Sequence, residues 1–371
     1  MKRTAIIMAG GSGERFYPLS RMQRPKQLLP LVSPDKMMIE EAIERVQDII
    51  AHEDIFIITS TVLQHVMRRL LPQLPPENII AEPYKRNTAP CLALAAAALC
   101  ARYAPDYSPE TISVAVLTAD QYIGGIDTFK AQVEDALSYA EQHPVIVTLG
   151  ITPTRPETGY GYIEVGDTND SPFARVERFR EKPNADTAQD FLDAGNFLWN
   201  SGMFFYRCDT FINGMVEHEP DIGSLIPKMA NALIHEVHVA IDGASDAIDE
   251  TFKNFPDISI DYALMERADN ITVLQSKFEW DDVGSWDSLD RTNNHDEEGN
   301  VSLGDTTIID TSNSILANYT KERELMLSVV GLEDIIVIAT DDAVVVCPKS
   351  RSQDVKKIVA SLRKKGLDKW L

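Results

Sequence analysis

The first 150 residues alternate between short apolar runs and longer segments with helical spacing of the apolar positions. The short runs are continuous, which is typical of parallel strands buried on both faces. They predict strands at 5–9, 55–59, 78–81, 113–117 and 145–148. The longer segments predict helices at 36–50, 62–71, 89–101 and 129–141. This alternation predicts an α/β fold with a doubly wound, mostly parallel sheet, in which ligands bind beyond the carboxyl ends of the strands.

The pattern changes after residue 150. Half-exposed strands are predicted at 158–165 and 174–179, and further strands at 203–206 and 271–274. We assign residues 151–285 to an insertion that folds over the edge of the sheet.

A polar, acidic stretch at 290–299 indicates a boundary between two domains, 1–290 and 291–371. Short apolar pairs separated by turn residues then predict a small β-solenoid. Two more strands, at 335–339 and 343–347, and a basic helix at 353–365 complete the chain. The segment from 291 is short for an independent domain yet rich in Ile and Val, so we expect it to form a homodimer.

The 371 residues carry a formal net charge of −22 and are 44% hydrophobic. So acidic a chain is unsuited to nucleic acid or an anionic membrane surface, and suited to attracting Mg²⁺. No apolar run approaches the roughly 18 residues of a membrane span, and the chain enters a strand at once, which predicts no signal peptide. Four scattered cysteines without a C-x-x-C motif predict reduced thiols and a cytoplasmic protein.

A glycine-rich turn, Gly10-Gly11-Ser12-Gly13, follows the first predicted strand, which ends at Ala9. Missing Cβ atoms let backbone N–H groups approach a phosphate closely. Residues 1–31 contain six basic residues and one acid, and Arg15 and Lys26 lie just after the turn. This island of positive charge predicts a site for a nucleoside polyphosphate. A tight turn without a ligand is the alternative.

The turn does not match the better-known glycine loops. A Walker A loop ends in Gly-Lys-Ser/Thr, whereas Glu14 follows Gly13. A dinucleotide fingerprint needs a third glycine where this chain has Phe16.

Glu82 follows the third predicted strand, where a carboxylate would repel a polyphosphate unless it faces the base. Guanine presents N1–H and N2–H₂ side by side, a donor pair that one carboxylate accepts, and adenine presents no such pair. Asn87 and Thr88 come next, and either one also suits an N-cap of the following helix.

Asp120 follows the fourth predicted strand, a position that suits Mg²⁺, which takes one or two carboxylates plus phosphate and water oxygens. An Asp that closes the turn is the alternative. Near the end of the first domain, Ser259 or Asp261 is a possible helix cap, and Asp281 is expected to be solvated.

The glycine block, together with Pro-Leu-Ser at 18–20 and Pro-Lys-Gln at 25–27, resembles the signature of sugar-1-phosphate nucleotidylyltransferases. The Ser20 and Lys26-Gln27 variant is similar to the mannose-1-phosphate guanylyltransferases, in a short form without an isomerase domain. The resemblance implies a Rossmann-like nucleotidyltransferase whose insertion binds the sugar. It implies that GTP and mannose 1-phosphate give GDP-mannose and pyrophosphate. A different sugar 1-phosphate, such as a heptose or glucose, or a silent nucleotide-sensing subunit, is the alternative.

The resemblance also implies roles for individual residues. Arg15, Lys26 and Lys182 act on the phosphates, and Asp120 and Asp282 hold Mg²⁺. The sugar contacts are Gly161, Glu181 and Asn200. The nucleotide contacts are Ala9, Gly10, Gly11, Ser12, Gly13, Glu82, Asn87 and Thr88. Gln121 departs from the family, which usually has His after this Asp, so acid–base chemistry there is not expected.

Overall fold

The computed structural model describes residues 1–104, 106–166, 171–236 and 246–371, which divide into two compact units. The sheet unit comprises Met1–Gly10, Ile43–Thr118 and Gly124–Phe278. The solenoid unit comprises Gly11–Ala42, Ala119–Ile123 and Glu279–Leu371. Two early segments of the chain therefore belong to the same unit as the C-terminal residues.

All five strands and all four helices predicted for the first 150 residues are present. The strands in chain order are β1 (Lys2–Met8), β2 (Ile55–Ser60), β3 (Ile79–Glu82), β4 (Ile112–Thr118), β5 (Tyr122–Ile123), β6 (Ile146–Ile151), β7 (Tyr162–Val165), β8 (Phe173–Arg180), β9 (Phe197–Arg207), β10 (Ile271–Gln275), β11 (Trp280–Asp281), β12 (Val301–Leu303), β13 (Thr306–Ile309), β14 (Ile315–Asn318), β15 (Leu327–Val330), β16 (Ile335–Ala339) and β17 (Val344–Pro348). The α-helices in chain order are α1 (Met38–Glu44), α2 (Thr61–Leu70), α3 (Thr88–Tyr103), α4 (Ile126–Gln142), α5 (Ala185–Ala194), α6 (Cys208–His218), α7 (Pro220–Gly223), α8 (Ile226–Glu236), α9 (Asp246–Lys253), α10 (Ser288–Thr292) and α11 (Val355–Lys364).

The sheet unit contains a nine-stranded sheet in the order β3-β2-β1-β4-β9-β6-β10-β8-β7. Strands β3, β2, β1 and β4 pair in parallel, and so do β6 and β10. The apolar run in β1 is buried, as its continuous pattern predicts. Helix α3, rich in Ala and Leu, lies in the core of this unit. The predicted α/β class is confirmed.

The predicted insertion at 151–285 is wrong in one respect, because its strands extend the sheet and do not fold over its edge. Strand β9 runs antiparallel between β4 and β6, and β7 and β8 are antiparallel at the far edge, so the sheet is mixed. The apolar pattern of β9 is interrupted by Asn200-Ser201-Gly202, so the sequence suggested only a short strand after a loop. Residues 167–170 and 237–245 of this segment lie outside the described residues.

The solenoid unit confirms the predicted β-solenoid. Strands β12, β14 and β16 form one parallel ladder, and β13 and β15 form a second. Strand β17 pairs antiparallel with β16 at one end of the first ladder. The core of this unit also includes Phe16, Trp286 and Val359, so α11 and the residues around the glycine turn share a single apolar core. No helix among the described residues is both long and apolar enough to cross a membrane.

Candidate active site

The glycine turn is exposed at Gly10, Gly11 and Ser12. Gly11 and Gly13 have positive φ values of 101° and 60°, which favour glycine. A Cβ atom on Gly13 would lie 2.6 Å from Lys26 Cβ and 2.7 Å from Lys26 N, so no larger residue fits here without a shift. Ala9, in the sheet unit, continues the pairing of β1 because its N–H donates to Ile58 O at 2.8 Å.

A 3₁₀ turn, Glu14–Phe16, follows the glycines and presents Arg15 on the surface. Arg15 Nη1 donates to Gly284 O at 3.4 Å. The ring of Phe16 is buried beside Trp286, with 5.1 Å between the ring centroids. Trp286 Nε1 donates to Tyr17 O at 2.9 Å. The segment after the glycines is therefore fixed within the solenoid unit, while the Arg15 guanidinium remains accessible.

Lys26 brings two of the predicted site residues together. Its side chain is 9% exposed, and Nζ donates to Asp120 Oδ2 at 2.9 Å and to Asp282 O at 2.6 Å. Asp120 lies two residues before Tyr122 of β5, and Asp282 directly follows β11. Strands β5 and β11 pair antiparallel, with Asp281 opposite Tyr122. The predicted lysine, the carboxylate of Asp120 and the backbone of Asp282 thus form one cluster in the solenoid unit.

The turn that carries Asp282 has an unusual backbone. Val283 is buried and has a φ of 46°, a region that β-branched residues rarely adopt. A Cβ on Gly284 would lie 2.7 Å from Asp282 Oδ2, so the Asp282 carboxylate lies against the Gly284 backbone.

The expectation that Asp281 is solvated is wrong. Asp281 is buried, and its Oδ1 accepts from Val283 N at 2.8 Å. Arg291 Nε and Nη2 donate to Asp281 Oδ2 and Oδ1 at 2.6 and 3.2 Å. Burial opposes the charge on Arg291, but the hydrogen bonds and charges of Asp281 and Asp287 outweigh it and raise the pKa of Arg291. Asp281 therefore stabilises the strained turn, and the residues next to it in the sequence do not predict this role.

Gln121 also has a structural role. It is buried, and its Oε1 accepts from Trp280 Nε1 at 2.9 Å. This bond joins the segment of Asp120 to the segment of Asp282. An amide that accepts a hydrogen bond and cannot titrate near neutral pH is sufficient for this purpose.

The cluster around Lys26 fits Mg²⁺. The carboxylates of Asp120 and Asp282, which flank the paired strands β5 and β11, are the hard oxygen ligands that Mg²⁺ prefers. Asp120 is already paired with an ammonium group, so this position stabilises a cation. Within the described part of the chain no group of three or more His, Cys, Asp or Glu side chains could hold a metal alone. Mg²⁺ usually completes its coordination shell with phosphate and water oxygens, so two protein carboxylates are the expected number of side-chain ligands.

Glu82 ends β3 in the sheet unit and is half-buried, with its Oε1 atom fully buried. Burial raises its pKa to about 7, although a hydrogen bond from Cys91 and the charge of Lys85 act in the opposite direction. No described residue provides a hydrogen bond to Glu82 Oε1. A buried carboxylate oxygen without a protein partner is costly, so it is a good candidate for a ligand contact.

Asn87 and Thr88 both have structural partners. The Asn87 side chain caps α3 by accepting from Thr88 N at 3.0 Å, and Asn87 has a φ of 69°. The Thr88 hydroxyl accepts from Ile260 N at 2.8 Å, which ties the start of α3 to the segment before residue 261. Their nucleotide contacts remain a prediction.

The predicted sugar residues form a second cluster, in the sheet unit. A Cβ on Gly161 would lie 2.7 Å from Glu181 Oε2 and 3.4 Å from Asn200 Cβ, so Gly161 keeps a close approach between them. Asn200 N donates to Gly161 O at 2.8 Å. The Lys182 ammonium pairs with Glu181 Oε1. Burial lowers the pKa of Lys182, but Glu181 and Asp261 more than reverse this and raise it.

Asp261 is a member of this cluster that the sequence assigned only to helix capping. It begins a single π-helical turn, Asp261–Met265, and its Oδ1 accepts from Asn200 Nδ2 at 3.2 Å. Burial and the charge of Glu181 raise the pKa of Asp261 to about 6. Asn200 is 61 residues away in sequence, so no local pattern indicates this contact.

Comparison with known proteins shows which families the two parts of the chain match. Residues 4–299 match the nucleotidyl transferase family, and residues 304–362 match the MannoseP isomerase/GMP-like beta-helix domain family. The mannose-1-phosphate guanylyltransferase of Escherichia coli (strain K12) is 38% identical over 370 residues, which cover 97% of this chain and 73% of the relative. That of Salmonella montevideo is 39% identical over 371 residues, which cover 97% of this chain and 74% of the relative.

A solved structure supports the same fold over almost the whole chain. A crystal structure described as mannose-1-phosphate geranyltransferase from Thermus thermophilus superposes with a TM-score of 0.84 at 31% identity. The match covers 98% of this chain and 100% of that one.

Proposed function

This chain belongs to the nucleotidyl transferase family, among the mannose-1-phosphate guanylyltransferases, and we propose that it converts GTP and α-D-mannose 1-phosphate into GDP-mannose and pyrophosphate. The observation that carries the proposal is the cluster of Lys26, Asp120 and Asp282 beside the glycine turn. A nucleotidyl transfer needs cations and backbone N–H groups of this kind around a triphosphate.

The proposed reaction is a single in-line displacement. A phosphate oxygen of the sugar 1-phosphate forms a bond to the α-phosphorus of GTP, and the bond to the β-phosphate oxygen breaks. Pyrophosphate leaves, and no covalent intermediate with the protein is required. The contribution of the protein is to position two anionic substrates and to neutralise their charge.

We assign each phosphate to particular side chains. Arg15 is exposed and would hold the leaving pyrophosphate, while Lys26 would hold the triphosphate. Lys182 would neutralise the sugar phosphate, and its present partner Glu181 would bind sugar hydroxyls. Asp120 and Asp282 would hold Mg²⁺, which supplies positive charge between phosphates that otherwise repel each other.

Measurement of pyrophosphate release over a matrix of four nucleotides and several sugar 1-phosphates tests the reaction. We expect GTP with mannose 1-phosphate to have the highest kcat/KM. A higher value with a heptose or glucose 1-phosphate would replace the proposed sugar, and no release from any pair would overturn the activity.

Replacement of Glu82 with Gln should lower the preference for GTP over ATP. The Glu82 Oε1 atom, which has no partner among the described residues, would accept from guanine N1–H or N2–H₂. The Gln amide has the same size but places an N–H donor opposite these guanine donors. Loss of a charged hydrogen-bond pair costs roughly 2–4 kcal/mol, so the ratio of kcat/KM values should fall by about 30-fold or more.

The same assignment predicts a pH dependence. Because burial raises the pKa of Glu82 to about 7, the carboxylate that accepts from guanine forms as the pH rises through that value. The KM for GTP should therefore fall with rising pH in the wild type and not in the Gln variant. If the nucleotide ratio and the pH profile are the same in both proteins, Glu82 does not read the base.

We also propose a homodimer through the solenoid unit. Val344 and Val346 are 59% and 62% exposed on β17, whose outer edge pairs with no described strand. An exposed apolar edge strand is a ready site for pairing with a second chain.

Light scattering at micromolar concentration should therefore give a dimer, and a double replacement of Val344 and Val346 with Lys should give a monomer. Val62, which is 59% exposed on α2, provides the control, because its replacement with Lys should leave the dimer intact. A wild-type monomer under these conditions would contradict the proposal.

The proposed location is the cytoplasm, with no nucleic-acid or membrane partner. The four cysteines are free thiols, and the Sγ atoms of Cys100 and Cys208 lie 3.8 Å apart without a disulfide. The net charge of −22 disfavours binding to other polyanions.

A further inference from the structure

We propose that Asp261 binds substrate directly, accepting a hydrogen bond from a hydroxyl group of the sugar beside Glu181. This inference rests on the proposed function, because it adds a side chain to the sugar site of that reaction. It starts from the single hydrogen bond that joins Asp261 to Asn200.

The Asn200 amide has a defined orientation. Its Oδ1 accepts from Gly202 N at 3.2 Å and lies 3.1 Å from Thr148 Oγ1. Its Nδ2 must therefore be the end that faces Asp261, and it donates to Oδ1 of that carboxylate. Two strands, β6 and β9, thus fix the amide, and the amide in turn fixes the carboxylate.

The backbone that carries Asp261 is also fixed. Ile260 N donates to the Thr88 hydroxyl at 2.8 Å, and Ala89 N donates to Ile258 O at 3.2 Å. The π-helical turn that begins at Asp261 is uncommon, and such turns are frequent at functional sites. Several contacts therefore determine where this carboxylate lies, which is what a binding residue requires.

The charges around Asp261 favour a polar ligand. Glu181 and Lys182, which directly follow β8, lie close enough for their charges to act on the pKa of Asp261, and Tyr262 lies close enough to act on that of Lys182. Glu181 N donates to Glu266 Oε1 at 3.1 Å. The carboxylates of Asp261 and Glu181, with Glu266 beside them, outnumber the single ammonium of Lys182, so the cluster is rich in acceptors. Sugar hydroxyls are donors that satisfy acceptors without adding charge.

The alternative is that Asp261 only supports Asn200. Replacement of Asp261 with Asn distinguishes the two, because Asn retains an acceptor for Asn200 Nδ2 and changes the other oxygen into a donor. A supporting role would survive this change, whereas the acceptor that a sugar hydroxyl donates to would be lost. Asp269, exposed in the loop before β10, provides the matched control for Asp to Asn.

The experiment compares wild type, Asp261→Asn and Asp269→Asn with mannose 1-phosphate and with analogues that each lack one hydroxyl group. In the wild type and in Asp269→Asn, removal of the hydroxyl that Asp261 binds should lower kcat/KM by about 10–100-fold. In Asp261→Asn, kcat/KM for the parent sugar should already be lower by this factor. The loss should come from a higher KM for the sugar, with the KM for GTP unchanged. Removal of the same hydroxyl should then lower kcat/KM only slightly further.

Two results would overturn the inference. In the first, Asp261→Asn has the kcat/KM of the wild type with the parent sugar. In the second, its kcat/KM falls by the same factor for every sugar analogue and for GTP. Either result leaves the proposed function standing, provided that the wild type releases pyrophosphate. If the wild type itself is inactive with mannose 1-phosphate and GTP, the proposed function fails first.

Discussion

Replacement of Asp282 with Asn should lower turnover by about 10²–10⁴-fold without loss of the fold, by analogy with removal of a positioned electrostatic group. Asp282 follows β11, and its backbone oxygen accepts from Lys26. The amide keeps the size of the side chain but removes half of the carboxylate charge assigned to Mg²⁺. The repulsion between the sugar phosphate and the α-phosphate of GTP is then less well neutralised. Pyrophosphate release at saturating substrates, measured over a range of Mg²⁺ concentrations, provides the test.

Two further readouts separate the loss of metal from the loss of nucleotide. Binding of GTP measured without a divalent cation should change little, because Gly11, Gly13, Arg15 and Lys26 are assigned to that binding. Higher Mg²⁺, or Mn²⁺ in its place, should restore part of the rate. If neither ion restores any activity and GTP no longer binds, Asp282 supports the loop and does not hold a metal.

The neighbouring residue Asp281 provides the control for Asp282. Because Asp281 is buried, its replacement is expected to change stability rather than turnover. Its carboxylate is buried against Arg291, so Asp281→Asn should lower the thermal midpoint by weakening a buried ion pair. Turnover of the protein that remains folded should stay within a few-fold of wild type, because the oxygen of an Asn amide still accepts from Val283 N, and it should not respond to Mn²⁺. If Asp281→Asn is the inactive variant and Asp282→Asn turns over normally, the metal assignment is wrong.

The parts of this molecule that the sequence predicts well depend on local patterns. The strand before the glycine turn, the acid after β4 and the solenoid repeats are each visible within about ten residues. In a parallel sheet the ends of such strands meet at one edge, so single residues such as Asp120 become candidates without knowledge of the contacts.

The parts that the sequence misses depend on partners that are distant in the chain. Asp281 and Asp261 are short acids near a turn, and their roles follow from Arg291 and Asn200. Nothing near either acid distinguishes a solvated or capping side chain from a buried, paired one. The same limit explains why the sequence predicts only part of strand β9. Its apolar pattern is interrupted by Asn200, which is both a residue of the strand and a residue of the sugar cluster.

The helix at the C-terminal end illustrates a coupling that no local pattern predicts. Helix α11 packs on the turn Glu14–Phe16, and Arg363 Nη2 donates to Glu14 Oε1 at 3.1 Å. Gln353, just before the helix, donates from Nε2 to Ser285 Oγ at 2.8 Å. Residues 353–363 therefore contact both the turn that carries Arg15 and the segment that follows Asp282, within the solenoid unit.

Replacement of Val359 with Asp in the full-length protein should therefore remove activity by a route that touches no substrate. Val359 is 5% exposed and shares its core with Phe16 and Trp286, so a carboxylate there should cost about 3–5 kcal/mol of unfolding free energy. We expect the thermal midpoint to fall by about 5–15 °C and pyrophosphate release to be lost well below the midpoint of the wild type. Ile358, the preceding residue, is 37% exposed, and its replacement with Asp should leave both measurements close to wild type. Equal activity and equal midpoints for the two variants would show that the catalytic turns do not depend on this helix.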